Sequence, residues 1–368
     1  MMEIVVRKSD LVRELHLVQG IVERKNSIPI LSNVLAEAGA GRVRIAATDL
    51  DVSLSGGCPA QVVRDGAITL AAKKLYEIAR ALPESDVHLK VLPDAWAQIE
   101  CERVSFKMAG LPREDFPALP EARGAGGVEI PAELLRDLIG RTSFAITLED
   151  ARYYLGGALL ILERDAVSMV ATDGHRLAYA RRKASLKGAE GQRVLVPRKA
   201  IAELGRLLEG QDAVAFQQVD NHLLFVAGAR TLASKMIEGQ FPAFEKVVGI
   251  AGDRVARLGR ESFAQGLRRV SLLSSERSRA VRLQLAAGKL EIFASSPELG
   301  EAREALSVDY AGESLEIGFN AQYILDFLGA AGSEEVNLEL RDSESQGVLR
   351  PAGEQETDYR YVVMPMRL

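Results

Sequence analysis

The chain has 368 residues, more than one hydrophobic core usually supports, so two or three domains are expected. With 47% hydrophobic and 26% charged residues, disordered and collagen-like classes are excluded, and no run reaches the ~18 apolar residues of a membrane helix. The formal charge of −5 argues mildly against a nucleic-acid binder, although net charge says nothing about where the charges sit. Cys58 and Cys101 have no CxxC or histidine-ligand context, and the N-terminal residues lack the pattern of a secretory leader. A reduced, cytoplasmic protein is expected.

In chain order, three segments repeat with a spacing of roughly 125 residues, each the size of a domain. The first opens with a strand at 3–6 and an amphipathic helix with Leu11, Leu15 and Val18 on one face. A strand pair follows, ending at Ile45-Ala46-Ala47-Thr48-Asp49, then a strand at 68–70 running into a helix from Lys73. The second repeat has a strand at 128–130 and a helix opened by Pro131, a residue suited to the first helical turn. Its strand pair ends at Val170-Ala171-Thr172-Asp173, and a strand at 194–197 feeds a helix from Arg198. In the third, a strand at 256–258 precedes a helix at 262–270; the strand pair ends at Ile292-Phe293-Ala294-Ser295-Ser296, and a second helix begins near Asn320. Phe116-Pro117-Ala118 and Phe241-Pro242-Ala243 close the first two repeats, whereas the third closes on residues 361–366. Glycine-rich joints at 123–127 and 249–253 give domains of 1–124, 128–249 and 253–368. Each domain is expected to carry two helices on antiparallel sheets with roughly eight strands, an α+β class three times over.

Repeated domains favour head-to-tail closure into rings. Two copies would supply twelve helices; packed ~9 Å apart they would leave a central hole of roughly 25 Å, wide enough for a hydrated nucleic-acid duplex. The helices carry Lys8, Arg13, Lys73, Lys74, Arg80, Arg136, Arg141, Arg198, Lys199, Arg206, Arg260, Arg268 and Arg269. Acids on them are fewer: Asp10, Glu14, Glu77, Asp137 and Glu203, with Asp326 interrupting the third repeat's second helix. A basic inner wall is expected, against the simpler alternative of solvated helix faces with local ion pairs.

Four segments together resemble the bacterial sliding clamp family, the beta subunit of the replicative DNA polymerase. They are Arg152-Tyr153-Tyr154-Leu155, Ala171-Thr172-Asp173-Gly174-His175-Arg176-Leu177-Ala178, Val196-Pro197-Arg198-Lys199, and Tyr361-Val362-Val363-Met364-Pro365-Met366-Arg367-Leu368. The resemblance covers essentially the whole chain. It implies a ring-forming homodimer with the DNA clamp fold, a non-catalytic processivity subunit that encircles double-stranded DNA without reading its sequence. The implied partners are the polymerase catalytic subunit, the clamp loader, and other polymerases and repair proteins.

Three sets of residues follow from the resemblance. A peptide-binding cleft is implied at Leu155, Thr172, Gly174, His175, Arg176, Leu177, Pro242 and Val247, completed by Val362, Val363, Met364, Pro365, Met366 and Leu368. Its apolar character with paired methionines suits varied short peptides, the alternative being a plain edge strand burying Val363 and Met366. DNA contact is implied at Arg24, Lys25, Lys73, Tyr153, Tyr154, Arg198, Lys199 and Lys246; core packing of one of the two tyrosines is the alternative. Across a dimer seam, Phe106 is expected to meet Leu272 and Leu273, while Lys74, Arg103 and Lys107 face Glu298, Glu301 and Glu304. The alternative there is that Phe106 belongs to the core.

An enzyme is the rival class, with Asp173-Gly174-His175-Arg176 as an acid–base loop. Against it, Asp49 occupies the position of Asp173 in the first repeat with no histidine following. The four histidines have no metal-ligand spacing, and no GxxxxGK[ST] phosphate loop occurs, so no metal or cofactor is expected. A peptide-binding scaffold that never encircles DNA is the second rival.

Overall fold

The computed structural model describes residues 1–22, 28–122, 126–147, 149–250 and 252–367. Its helices are α1 (Lys8–Val18), α2 (Ala72–Ala81), α3 (Ala132–Thr142), α4 (Arg198–Leu207), the single turn α5 (Glu245–Val248), α6 (Arg260–Val270) and α7 (Ala321–Ala330). Among the described residues the three repeats carry nine, eight and eight strands. The additional one, Gln61–Arg64, is a largely exposed strand at a sheet end.

Two compact units result: Met1–Glu133 with Lys199–Met236, and Leu134–Arg198 with Ile237–Leu368. The first contains a thirteen-stranded antiparallel sheet to which both the first and the middle repeat contribute. Its join is the pairing of Arg230–Lys235 with Val52–Pro59, where Leu232 lies opposite Leu54. Leu11, Leu15 and Val18 of α1 and Leu75 and Ile78 of α2 are buried, as their spacing predicts. Each such side chain contributes ~1.5–3 kcal/mol by leaving water.

The second unit holds an eight-stranded and a four-stranded antiparallel sheet. Gly157–Leu162 and Ala166–Thr172 are buried along their whole length, so neither alternates, and Ser168 and Thr172 are the polar residues within them. Here the middle repeat joins the third: Arg176–Lys183 pairs with Thr357–Val363, from Arg176 opposite Val363 to Arg182 opposite Thr357. Helix α7 is capped by Asn320, whose side chain accepts hydrogen bonds from the backbone N–H groups of Gln322 and Tyr323. Phe327 of α7 stacks on Tyr361, centroids 5.4 Å apart, and lies 5.2 Å from Tyr359. That anchors the helix to the strand leading into the C-terminal tail.

The repeated Thr-Asp pair has a shared physical cause. In the middle repeat Asp173 Oδ1 accepts from the N–H groups of His175 (2.9 Å) and Arg176 (3.0 Å), while Thr172 Oγ1 accepts from Gly174 N–H (3.0 Å). In the first repeat Asp49 Oδ1 does the same for Asp51 and Val52, and Thr48 Oγ1 for Leu50. These side chains close the same tight turn twice. The turn requires a left-handed residue, which is Gly174 (φ 88°) in one repeat and Leu50 (φ 80°) in the other. The third repeat has Ser295-Ser296 instead and no Thr-Asp turn.

Candidate binding cleft and charged surfaces

Pairing of Arg176–Lys183 with Thr357–Val363 sets the Thr172–Arg176 turn beside the tail, and Met364 N–H donates to the His175 carbonyl at 2.9 Å. Two residues on, Met366 N–H donates to the Gly318 carbonyl at 2.8 Å, so the tail is held at both ends. Leu177 and Val362 belong to one buried cluster with Leu159, Val170, Leu195, Phe244 and Val348, and half-buried Val247 packs against it. Leu155, Thr172 and Val363 are also buried. Above them lie the accessible members of the set: Gly174, His175 and Pro242 are exposed, Pro365 and Met366 half-buried, and Met364 is 43% exposed. Leu368 lies outside the described residues.

Arg176 is the most constrained residue of this set. Its guanidinium donates to Asp173 (3.0 Å), to Asp326 (2.5 Å) and to the Phe144 carbonyl (2.7 Å), and stacks 4.4 Å from the Tyr323 ring centroid. With its side chain only 10% exposed, it serves as a strut joining the turn to α7. Asp326, the acid that interrupts the basic stripe on its helix, is the partner of this guanidinium. A pocket of about 320 Å³ adjoins the strut, lined by Phe144, Ile146, Thr147, Arg152, His175 and Tyr323 among others. Phe144, Tyr323 and Asp326 are the site residues that sequence reasoning missed. The Tyr323 hydroxyl is held above its ordinary pKa, chiefly by burial and then by Asp173.

The charged residues fare unevenly. Arg24 and Lys25 lie outside the described residues. Lys73, Lys246 and Arg198 are exposed, but Arg198 lines the Tyr323 pocket. Lys199 is half-buried, with its ammonium bound to the Asp49 carboxylate and donating to the Ile21 carbonyl at 2.8 Å. Tyr153 is 64% exposed and meets half-buried Tyr154 edge-on at 5.8 Å. Many of the helix cations are also matched in place. Arg13 pairs with Asp10, Arg141 with Asp137, Arg206 with Glu203 and Arg268 with Glu261, so the basic stripe is thinner than the sequence suggests.

The residues expected at a seam divide in the same way. Leu272 is 75% exposed, and Leu273 and Phe106 are half-buried, which removes Phe106 from the core. Arg103, Glu298 and Glu301 are exposed. Lys74 is engaged by Glu77 at 2.5 Å, Lys107 sits 4.9 Å over the Trp96 ring, and Glu304 is gripped by Arg269 at 2.8 and 2.5 Å. Within a single copy each of these three already has a partner. Hydrogen bonding from Arg269 also holds the Glu304 carboxyl below its ordinary pKa.

Comparison with known proteins agrees with this architecture. Residues 2–120, 129–243 and 250–367 match, in order, the N-terminal, central and C-terminal domain families of the DNA polymerase III beta subunit. The chain is 41% identical to the Beta sliding clamp of Pseudomonas putida and 34% identical to that of Escherichia coli, over 100% of each chain. The crystal structure of the DNA polymerase III subunit beta from Pseudomonas aeruginosa is 39% identical and superposes with a TM-score of 0.93 over 100% of both chains. A structure of that organism's clamp bound to griselimycin gives the same TM-score, identity and coverage. This chain belongs to the bacterial beta sliding clamp family, the beta subunits of DNA polymerase III.

Proposed function

We propose that two copies of this chain close head to tail into a ring around duplex DNA and tether the replicative polymerase to its template. As a family member it is the non-catalytic processivity subunit. Three domains, 1–124, 128–249 and 253–368, would each supply two helices to the ring. Its place of work would be the cytoplasm; among the described residues no helix is long and apolar enough to cross a membrane.

The observation that carries the ring is a pair of unfilled sheet edges. Val104–Leu111 bonds Gly66–Ala71 only through Thr69 and Leu70, leaving most of that edge open, and Gly300–Ser307 is the last strand of its sheet. Open edges of this length invite strand addition. The first belongs to the first repeat and carries Phe106; the second belongs to the third repeat, which also carries exposed Leu272. Joining the two edges between copies uses unlike surfaces, which is the head-to-tail arrangement. DNA would be held by Lys73, Arg198, Lys246 and Tyr153 together with Arg24 and Lys25. In-place pairing of the other cations suits a ring that must slide, because few phosphate contacts mean weak binding with a shallow dependence on salt.

The Thr172–Arg176 turn, the buried Leu177–Val362 cluster and the methionine tail would form the docking cleft for the polymerase catalytic subunit, the clamp loader and repair proteins. Met364 and Met366 supply adaptable apolar contacts for unlike sequences. The test is topological: the ring is placed on nicked circular DNA by its loader, and the circle is then linearised. Release on linearisation is expected; retention would mean binding by local contacts and would overturn the ring.

A further inference from the structure

We infer that the four-stranded sheet of the third repeat carries a subsite for an acidic residue of the docked peptide, an inference that rests on the cleft reading above. A second pocket, of about 330 Å³, opens where tail residues Met366 and Arg367 approach the strands Ala280–Ala286 and Lys289–Ser296. Arg282, Arg367 and the serines 275, 278 and 295 line it around the ring of Phe293. Register explains the clustering. Arg282, Phe293 and Arg303 lie opposite one another on three adjacent strands, and the two guanidinium carbons sit 5.3 and 5.7 Å from the Phe293 centroid. Cation–π contact thus holds one arginine on either side of the Phe293 ring.

Arg282 is incompletely satisfied. Its Nε is buried without a hydrogen-bond partner, because Glu316, at 3.4 Å, is placed for ionic attraction and not for a hydrogen bond. The side chain as a whole is 40% exposed where it lines the pocket beside the hydroxyl groups, and a carboxylate matches the planar fork of arginine. Exposed Arg277, Arg279 and Arg303 add positive potential around the opening. The occupant follows from continuity with the cleft. Met366 lines this pocket and is part of the docking tail, its N–H fixed to Gly318. A peptide seated against the tail would bring a flanking glutamate or aspartate to Arg282.

The experiment uses the full-length clamp and a fluorescent clamp-binding peptide from the polymerase catalytic subunit, chosen from an overlapping peptide set. One version is extended at both ends with three glutamates, the other with three glutamines. At low salt, wild type should bind the glutamate peptide about fivefold more tightly, the range of a partly exposed ion pair. Arg282→Gln should abolish the preference, Arg282→Lys should restore part of it, and Ser295→Glu should abolish it by placing a carboxylate in the pocket. Affinity for the glutamine peptide should stay constant throughout. Equal binding of both peptides by wild type, or a preference that survives both Arg282→Gln and Ser295→Glu, overturns the subsite and leaves the cleft standing. Failure of wild type to bind either peptide overturns the cleft, and the subsite with it.

Discussion

Substitution of Gly174 by alanine tests whether the cleft depends on the shape of one turn. Gly174 has φ 88°, a region costing an L-residue ~1–2 kcal/mol. An added Cβ would also lie 2.5 Å from Arg152 Nη1. Arg152 would have to leave its 2.7 Å pairing with Glu149, an exposed contact whose loss costs at most ~1 kcal/mol. The turn should therefore open more easily by about 2 kcal/mol, or about 30-fold in the exchange rate of its amides. Hydrogen exchange read by mass spectrometry over residues 170–178 measures this directly, since three of those N–H groups donate to Thr172 and Asp173. Peptide affinity should fall in parallel, because His175 and Arg176 move with the turn. Leu50 supplies the opposite control. It adopts φ 80° in the matching turn and is 46% exposed, so Leu50→Gly relieves strain while losing little buried surface. After the entropic cost of glycine, a gain of ~1 kcal/mol should remain, with slower exchange over residues 47–53. Unchanged exchange in Gly174→Ala, or faster exchange in Leu50→Gly, would refute the assignment of both turns.

Deleting residues 364–368 should abolish binding of a polymerase-derived peptide while sedimentation still reports the dimer; retained affinity would remove the tail from the cleft. Alanine at both Leu272 and Leu273 should yield monomers in sedimentation velocity, since each leucine contributes ~1.5–3 kcal/mol when buried and a ring has two seams. A persistent dimer would place the seam elsewhere. Burial, with Glu14 nearby, pushes the Cys58 thiol from 9.0 up to about 11. The folded chain then retains a proton that the unfolded chain releases, so stability should fall as pH rises from about 9 to about 11. Urea unfolding across that range should show a shallower decline for Cys58→Ala than for wild type, and parallel declines would assign the loss to other groups.

How much of this could be read from the sequence depended on whether the determining partners were local. The Thr-Asp turns were legible because their hydrogen bonds close within four residues, so the same pair recurs wherever the turn does. Buried helix faces such as Leu11-Leu15-Val18 were legible from their spacing. Asp326 was not, since its meaning lies in Arg176, 150 positions away in the chain. The basic stripe was overestimated for a related reason: Lys199 looks free on its own helix and is bound to Asp49 of another repeat. Gln61–Arg64 escaped notice because a mostly exposed strand has no apolar alternation to mark it. The two sheet joins were equally silent, since a strand pairing across repeats has the same pattern as one pairing within its own.

Those joins bear on how the protein is made. The free side of Val52–Pro59 finds its partner only when Arg230–Lys235 has been synthesised, about 180 residues later. Arg176–Lys183 waits a similar length of chain for Thr357–Val363. At bacterial rates of ~5–20 residues per second, each unpaired edge stays open on the ribosome for about 10–35 s. During translation the nascent chain thus presents two strand edges able to pair with a neighbouring nascent chain, and both are open at once while residues 184–229 are made. A folding helper that shields extended segments would matter most in that overlap, and a ribosome stalled there would hold a product prone to aggregate.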